Sequence, residues 1–115
     1  KGSQQIERLS FFLLIVFLMC HLIGCLWIFV AITVGDPDVP DSTWIEKGNY
    51  QDMSTMELYA TATYFTMQTL TTVGYGDIAL ANSAERVFCI FIQLTGVISF
   101  SFTSGSLTNI ITNQD

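Results

Sequence analysis

The chain has 115 residues, half of which are apolar, while only 12% are charged. A composition this apolar, with a mean hydropathy of +0.49, excludes an ordinary soluble domain and predicts a membrane protein. The net charge of −6 excludes a basic surface for a nucleic-acid partner. Two membrane spans would use most of this length, so we expect one domain. Because neither an initiator Met nor a signal peptide opens the chain, we expect that it is part of a longer protein.

The first element is a run without acidic or basic residues from residue 11 to residue 34, long enough to cross a bilayer. It predicts an outer transmembrane helix over about residues 5–34, which the glycine and prolines of residues 35–41 end. Lys1 and Arg8 precede the run, and an acidic segment follows it. The positive-inside rule therefore places the N-terminus in the cytoplasm.

Residues 35–53 form the predicted connector after this helix, an extracellular turret. We expect an exposed loop in which Trp44 and Tyr50 lie at the membrane interface or pack on the next helix. Repeated around an axis, its acids would concentrate cations near that axis, although a merely solvated loop explains them as well. Six of the ten acids lie between the first span and the glycine-containing stretch: Asp36, Asp38, Asp41, Glu46, Asp52 and Glu57.

Ser54 and Glu57 have the spacing of a capping box, in which each residue satisfies a free backbone donor of the other at a helix start. A helix over about residues 54–70 is predicted, too short to span a bilayer and followed directly by glycine-containing residues. This pattern indicates a re-entrant helix whose C-terminal partial charge favours a cation beyond its end.

Residues 71–77 are a polar stretch in which two glycines flank one tyrosine. Glycine adopts backbone angles that other residues avoid, so successive carbonyls can face one axis instead of pairing within a helix. If several copies of the chain contributed this loop around one axis, the oxygens would replace the water shell of a cation. The predicted ligands are the carbonyls of Thr72, Val73, Gly74 and Tyr75, with the Thr72 hydroxyl at the inner end and Gly76 completing the loop.

A second capping box at residues 82–85 precedes a charge-free run over residues 87–111, which predicts an inner transmembrane helix over about residues 82–112. This run contains more polar side chains than the first one. They indicate either a helix with one face on water or close packing through small residues. The polar residues are Gln93, Thr95, Ser99, Ser101, Thr103, Ser104, Ser106, Thr108 and Asn109.

Residues 70–77, Leu-Thr-Thr-Val-Gly-Tyr-Gly-Asp, match the signature of potassium-selective channels without a substitution, and the chain resembles the pore domain of that family. The resemblance implies an all-α membrane protein with two transmembrane helices, a re-entrant pore helix and a selectivity-filter loop. It also implies a homotetramer in the plasma membrane, with both termini cytoplasmic and the turret and filter mouth extracellular. K⁺ would pass down its gradient through the carbonyl-lined filter, with no covalent chemistry.

Further patterns resemble one branch of these channels, the superfamily of cyclic-nucleotide-gated, hyperpolarisation-activated, ether-à-go-go and plant inward-rectifying channels. His21 and Cys25 have the His-x-x-x-Cys spacing of that branch's outer helix, and residues 82–88 and 96–111 resemble its inner helix. The inner helix lacks a Pro-x-Pro kink, which argues against the voltage-gated Shaker type. The resemblance implies that the parent protein carries a voltage-sensor-like domain before the pore and a cyclic-nucleotide-binding domain after it; neither lies in this chain.

The same resemblance assigns supporting roles around the filter. Tyr75 would point away from the axis into an aromatic cuff, to which Tyr64 and Phe65 contribute. Phe65 has no donor, so only Tyr64 could offer a hydroxyl to Asp77. Gln68 stands where some bacterial relatives carry a carboxylate, and we expect it to remove a second partner of Asp77, which leaves the rigidity of the filter open.

Two glycines of the inner helix, Gly96 and Gly105, are candidate hinges for gating, although close packing explains a glycine equally well. For His21 on the outer helix, we favour a hydrogen bond to a neighbouring helix over a role as proton sensor. The predicted cavity-lining residues are Val97, Phe100 and Ser104.

Two alternatives are compatible with these patterns. Some relatives with Gly-Tyr-Gly also conduct Na⁺, so a non-selective cation pore is the first, although Thr71 and Thr72 together favour K⁺ selectivity. The second is a non-conducting membrane assembly subunit. An enzyme with an organic cofactor is not expected, because the chain has one His, no cluster of metal ligands, no nucleophile–base pair and no phosphate-binding loop.

Overall fold

The computed structural model describes residues 2–112, in which every regular element is an α-helix. Four helices follow one another: α1 (Gly2–Val34), α2 (Trp44–Lys47), α3 (Thr55–Leu70) and α4 (Ser83–Thr112). The three long helices pack against one another in pairs, and the molecule is elongated, with extents of 63 × 25 × 21 Å. The predicted all-α class is confirmed.

Two helices have the length and composition of membrane spans. Ser3–Val34 of α1 and Ser83–Asn109 of α4 have mean hydropathies of 2.7 and 1.8. Large apolar side chains point outward along both helices; Leu14 is 67% exposed, Ile32 72% and Phe91 63%. An apolar surface of this extent is stable against lipid or further protein rather than against water, which is the property of an integral membrane protein.

The short helix α3 begins after Ser54, whose hydroxyl accepts a hydrogen bond from the Glu57 N–H at 3.2 Å and donates one to the Glu57 carboxylate at 3.1 Å. The predicted capping box is therefore half formed: Ser54 satisfies the Glu57 N–H, whereas the Glu57 carboxylate bonds the Ser54 hydroxyl rather than the Ser54 backbone N–H. The 16 residues of α3 extend about 24 Å, and the helix packs against both α1 and α4. The buried hydroxyls of Thr66 and Thr69 donate to carbonyls four residues earlier, whereas the buried Thr63 hydroxyl has no hydrogen-bond partner within the described residues.

One aromatic side chain from each helix meets at Trp27, which is fully buried. The Trp27 ring of α1 lies nearly parallel to Phe65 of α3, Trp44 of α2 and Phe88 of α4, with centroid distances of 4.8, 5.4 and 5.7 Å. Trp44 also donates from Nε1 to the Trp27 carbonyl at 3.2 Å. Aromatic pairs of this kind contribute about 0.5–1.5 kcal/mol each beyond the area that they bury. The stack therefore fixes all four helices at one end of the molecule.

The segment between α1 and α3 is not the uniformly exposed loop that its acids predict. It contains α2, which Thr43 caps by accepting a hydrogen bond from the Glu46 N–H at 3.3 Å. Trp44 is fully buried, and Tyr50 lies against its ring at 5.9 Å. Much of the connector is exposed as predicted, and Trp44 is the exception, because its ring packs on Trp27 of α1 and its backbone N–H bonds Glu85 of α4. No local pattern reports these distant partners.

Gly96 of α4 lies against the C-terminal end of α3. A Cβ at this position would overlap the Leu70 carbonyl oxygen and lie 2.8 Å from the Leu70 Cα. Around Gly105, by contrast, an added Cβ would meet no heavy atom within 4 Å. Close packing therefore explains Gly96 within this chain and does not explain Gly105, while the hinge role of each stays a prediction.

A polar contact joins α1 to α3 within the apolar surroundings. His21 Nδ1 and the Tyr59 hydroxyl share a hydrogen bond of 2.6 Å, and the two rings meet edge to face. The predicted bond between His21 and a neighbouring helix is confirmed.

Candidate functional site

The backbone of residues 71–77 alternates in handedness directly after α3 ends. Thr72, Gly74 and Gly76 have φ angles of +62°, +60° and +74°, while Val73 and Tyr75 between them keep negative φ. Glycine adopts such angles freely, whereas a β-branched residue such as Thr72 is strained by about 1–3 kcal/mol. The sequence signals the two glycines, but it carries no signal for the left-handed Thr72.

Three successive N–H groups of this loop converge on Gln68 of α3. The N–H groups of Val73 and Gly74 donate to the Gln68 main-chain carbonyl at 2.9 and 3.3 Å, and the Tyr75 N–H donates to Gln68 Oε1 at 2.8 Å. In a trans peptide, the carbonyl of the preceding residue points opposite to the N–H. The carbonyls of Thr72, Val73 and Gly74 therefore face away from α3.

The carbonyl oxygens of residues 72–76 accept no hydrogen bond from any donor within residues 2–112. The whole loop is exposed in the single chain. The Thr72 hydroxyl donates to the Thr71 carbonyl at 2.6 Å, which leaves its own lone pairs free to accept or to bind a cation. Backbone carbonyls are obligatory acceptors, so this row requires water, a cation or another protein surface.

The carboxylate of Asp77 is held at both oxygens. The Tyr64 hydroxyl donates to Oδ2 at 2.6 Å, and Gln68 Nε2 donates to Oδ1 at 2.7 Å. The prediction that Gln68 removes a second partner of Asp77 is wrong, because a neutral amide donates through its nitrogen while its oxygen accepts from Tyr75. Gln68 thus ties the loop to its outer carboxylate through one side chain.

These bonds also shift the protonation equilibria of the pair. The Tyr64 hydroxyl, with help from Gln68, lowers the pKa of Asp77 below its ordinary value. The same bond raises the pKa of Tyr64 to about 12. Asp77 is therefore ionised and Tyr64 protonated over the whole physiological range.

The residues of the predicted aromatic cuff lie in different surroundings. Phe65 is buried within the chain, where its ring stacks on Trp27. Tyr64 is 43% exposed and Tyr75 69% exposed. Nothing within the described part of the chain covers most of the Tyr75 ring, so the cuff stays a prediction about the assembly.

The three predicted cavity residues, Val97, Phe100 and Ser104, are exposed on α4. Val97 also lines a cavity of ≈ 530 Å³ beside the loop, shared with Gln68 and Thr72. A residue that lines a pore must be exposed in the single chain, but so must a residue that contacts lipid. The cavity role of Val97, Phe100 and Ser104 therefore stays a prediction.

Several hydroxyl groups of α4 bond to their own helix. Thr95, Ser101 and Thr103 each donate to the carbonyl four residues earlier at 2.9 Å. Hydroxyls that are satisfied in this way tolerate lipid or a packed interface, so these three residues do not by themselves indicate a water-facing surface.

A family model described as ion channel matches residues 11–113 of the chain. The potassium channel KAT2 of Arabidopsis thaliana is 34% identical over 93 residues, which cover 79% of this chain and 13% of that protein. The potassium channel AKT1 of Oryza sativa subsp. indica is 40% identical over 77 residues, 64% of this chain and 8% of that protein. The potassium channel KAT6 of Oryza sativa subsp. japonica is 29% identical over 109 residues, 93% of this chain and 18% of that protein. The chain thus spans less than a fifth of the length of each of these relatives.

Proposed function

The chain belongs to the ion channel family, and from that premise we propose that it is the pore module of a potassium-selective channel. The observation that carries the proposal is the row of backbone carbonyls in residues 72–76, which accept no hydrogen bond from the described part of the chain. Such oxygens replace the hydration shell of K⁺. Relatives named as potassium channels support K⁺ as the permeant ion.

In this mechanism, K⁺ moves passively between sites formed by the carbonyls of Thr72, Val73, Gly74 and Tyr75, with the Thr72 hydroxyl at the innermost site and Gly76 completing the loop. Gln68 holds three N–H groups of the loop, so the oxygens are oriented before an ion arrives. Preorganised dipoles avoid the reorganisation that flexible ligands require. No covalent step and no organic cofactor take part.

Four identical copies would complete the pore, because one strand cannot enclose an ion. The faces that an assembly needs are exposed in the single chain, among them Tyr75, Val97 at 54% and Phe100 at 59%. In the homotetramer, Tyr75 would enter the aromatic cuff, Val97, Phe100 and Ser104 would line the cavity, and the bilayer would cover the remaining apolar surface.

The orientation follows from the charges. Arg8 precedes the charge-free run of residues 11–34, whereas the connector after that run is acidic, which supports cytoplasmic termini and an extracellular turret and filter mouth in a plasma membrane. The relatives are much longer than this chain. This difference leaves room in the parent protein for the voltage-sensor-like and cyclic-nucleotide-binding domains that the resemblance implies.

A reversal-potential measurement tests the proposal. With the pore in its parent channel, K⁺ on one side and Na⁺ on the other, we expect a value near the K⁺ equilibrium potential. Gly74→Ala should shift it toward zero, because alanine is strained at a φ of +60° although its Cβ would meet nothing within 4 Å. Gly105→Ala is the matched control for selectivity, since its surroundings are equally open and its φ is not positive. An effect on gating at this candidate hinge would change the size of the current but not its reversal potential.

Three other outcomes of this measurement would contradict the proposal. A robust wild-type current that reverses near zero would establish the non-selective cation pore. Tetramers that reach the membrane and carry no current under activation of the parent channel would establish a non-conducting assembly subunit. Wild-type selectivity in Gly74→Ala would exclude the carbonyl mechanism.

A further inference from the structure

The carboxylate of Glu85 is fully buried in the first turn of α4. Its Oε2 accepts a hydrogen bond from the Trp44 N–H at 2.9 Å, and its Oε1 accepts one from the Ala81 N–H at 2.8 Å. A buried carboxylate is costly unless its oxygens are satisfied. Here one side chain satisfies two backbone groups that lie on either side of it, one in the turret and one in the chain that follows the filter.

This bridge is one of several contacts between the same two segments. Asn82 Nδ2 donates to the Ser42 carbonyl at 2.9 Å, and Lys47 Nζ donates to the Leu80 carbonyl at 3.2 Å. Asn82 also caps α4 by accepting from the Glu85 N–H at 2.9 Å. The turret is therefore bonded directly to Leu80 and Asn82, and through Glu85 to Ala81. These residues belong to the post-filter segment, which we define as residues 78–82.

The post-filter segment has no regular secondary structure of its own, and it joins Asp77 directly to α4. Without a helix or a strand, its path depends on side-chain contacts, of which Glu85 and Asn82 supply the shortest. Gln68 holds the inner part of the loop, and Gln68 and Tyr64 hold the Asp77 side chain, whereas the backbone of Gly76 and of residues 79–82 makes no hydrogen bond to α3. A displacement of Ala81 would therefore be passed to Asp77 and Gly76.

We infer that Glu85 is a positioning residue for the outer end of the filter, which it holds by bonding the post-filter segment to the turret. This inference rests on the proposed function of residues 72–76 as a potassium filter. Helix capping alone does not account for Glu85, because its side chain reaches beyond the N-cap residue to Ala81 and across to Trp44.

Two variants weaken the contacts between the turret and the post-filter segment, each at a different side chain. Glu85→Gln leaves one oxygen for two N–H donors and turns an NH₂ group toward the other donor. Asn82→Ser keeps an oxygen that caps α4 but loses the amide that reaches Ser42, so it is the milder change. Glu57→Gln is the matched control, since it removes an exposed acid that bonds only within the capping pair of α3.

The experiment compares these variants with wild type in the parent channel. It measures tetramer formation, the K⁺/Na⁺ permeability ratio and the rate of current decay during sustained opening, at low and at high external K⁺. We expect a several-fold faster decay in Glu85→Gln and a smaller acceleration in Asn82→Ser, both reduced by high external K⁺ because an occupied filter resists rearrangement. Glu57→Gln should behave as wild type.

Wild-type decay and selectivity in both bridge variants would overturn the inference. Loss of tetramers in both would overturn it too, because the contacts would then serve assembly alone. If only Glu85→Gln fails to assemble, Asn82→Ser decides by its decay rate. A wild-type channel that does not select K⁺ contradicts the proposed function instead, so the two failures are distinguishable.

Discussion

At the scale of single residues, Gln68 has the most partners in the loop region. Its main-chain carbonyl accepts from Val73 and Gly74, its Oε1 accepts from Tyr75, and its Nε2 donates to Asp77. An amide can serve a donor and an acceptor at once, which neither a carboxylate nor an apolar residue can do at physiological pH. The orientation of the loop of residues 71–77 and that of the Asp77 carboxylate therefore both depend on Gln68.

Gln68→Glu should make the filter sensitive to external pH. The new carboxylate keeps an acceptor for the Tyr75 N–H, but it faces Asp77, and two neighbouring carboxylates raise the pKa of one of them. We expect the decay rate of the current to change with external pH over about pH 5–8. Gln51→Glu, which adds the same charge to an exposed turret position, is the control. A pH-independent decay in Gln68→Glu would contradict the predicted carboxylate pair.

The wild-type filter should be insensitive to pH over a wide range. Because the pKa of Asp77 is lowered, its bonded, ionised form is retained until the pH falls through that lowered value. The Tyr64 pKa of about 12 means that its donor is lost only as the pH rises through about 12. We expect an unchanged K⁺/Na⁺ permeability ratio between external pH of about 5 and 9.

Reversal potentials at stepped external pH test this expectation. Tyr64→Phe serves as the comparison in steps extended to about pH 3, because without the hydroxyl the pKa of Asp77 moves back toward its ordinary value, so the ratio should change at a higher pH than in wild type. A shift in the wild-type ratio within the range would show that the Tyr64–Asp77 bond does not control the ionisation of Asp77.

At the scale of elements, the packing of α4 on the end of α3 depends on Gly96. We expect Gly96→Ala to lower the melting temperature of the detergent-solubilised protein, because the added methyl group overlaps the Leu70 backbone and overpacking costs about 1–3 kcal/mol. Gly105→Ala should leave stability unchanged or raise it, since alanine favours a helix over glycine by about 1 kcal/mol and the site is open. Equal melting temperatures for the two variants would contradict the close contact.

The aromatic stack on Trp27 explains why the connector with α2, the short helix α3 and the two spans form one unit. Trp44 would be an unusual residue for a solvated acidic loop, but it buries its ring against Trp27 and bonds the Trp27 carbonyl. The backbone N–H of Trp44 donates to the Glu85 carboxylate. Through Glu85, the same tryptophan therefore connects the outer helix to the segment that follows the proposed filter.

At the scale of the whole molecule, the single chain leaves a row of backbone carbonyls and a large apolar surface without partners among the described residues. The filter carbonyls have no donor within the described residues, and apolar side chains cover the outside of both spans. Lipid and further copies of the chain would satisfy these surfaces together, as the proposed tetramer requires. The exposed carbonyls and the apolar surface of one chain are thus explained by its place in a larger membrane assembly.

The sequence by itself determined the features that depend on local composition. Long charge-free runs predict membrane spans because hydrophobicity and length alone decide them, and Ser54 predicts a helix start because its partner lies three residues away. The glycines of the filter signal unusual backbone angles, because few other residues adopt them.

The tertiary structure decided what depends on residues far apart in the chain. The burial of Trp44, the bridge from Glu85 and the contact of Gly96 with Leu70 each join separate elements, and Trp44 and Glu85 are 41 positions apart. The correction for Gln68 has the same cause, since only the fold shows which of its atoms face Tyr75 and Asp77. Local patterns report the periodicity and composition of a segment, whereas the partner of a side chain is set by how the segments pack.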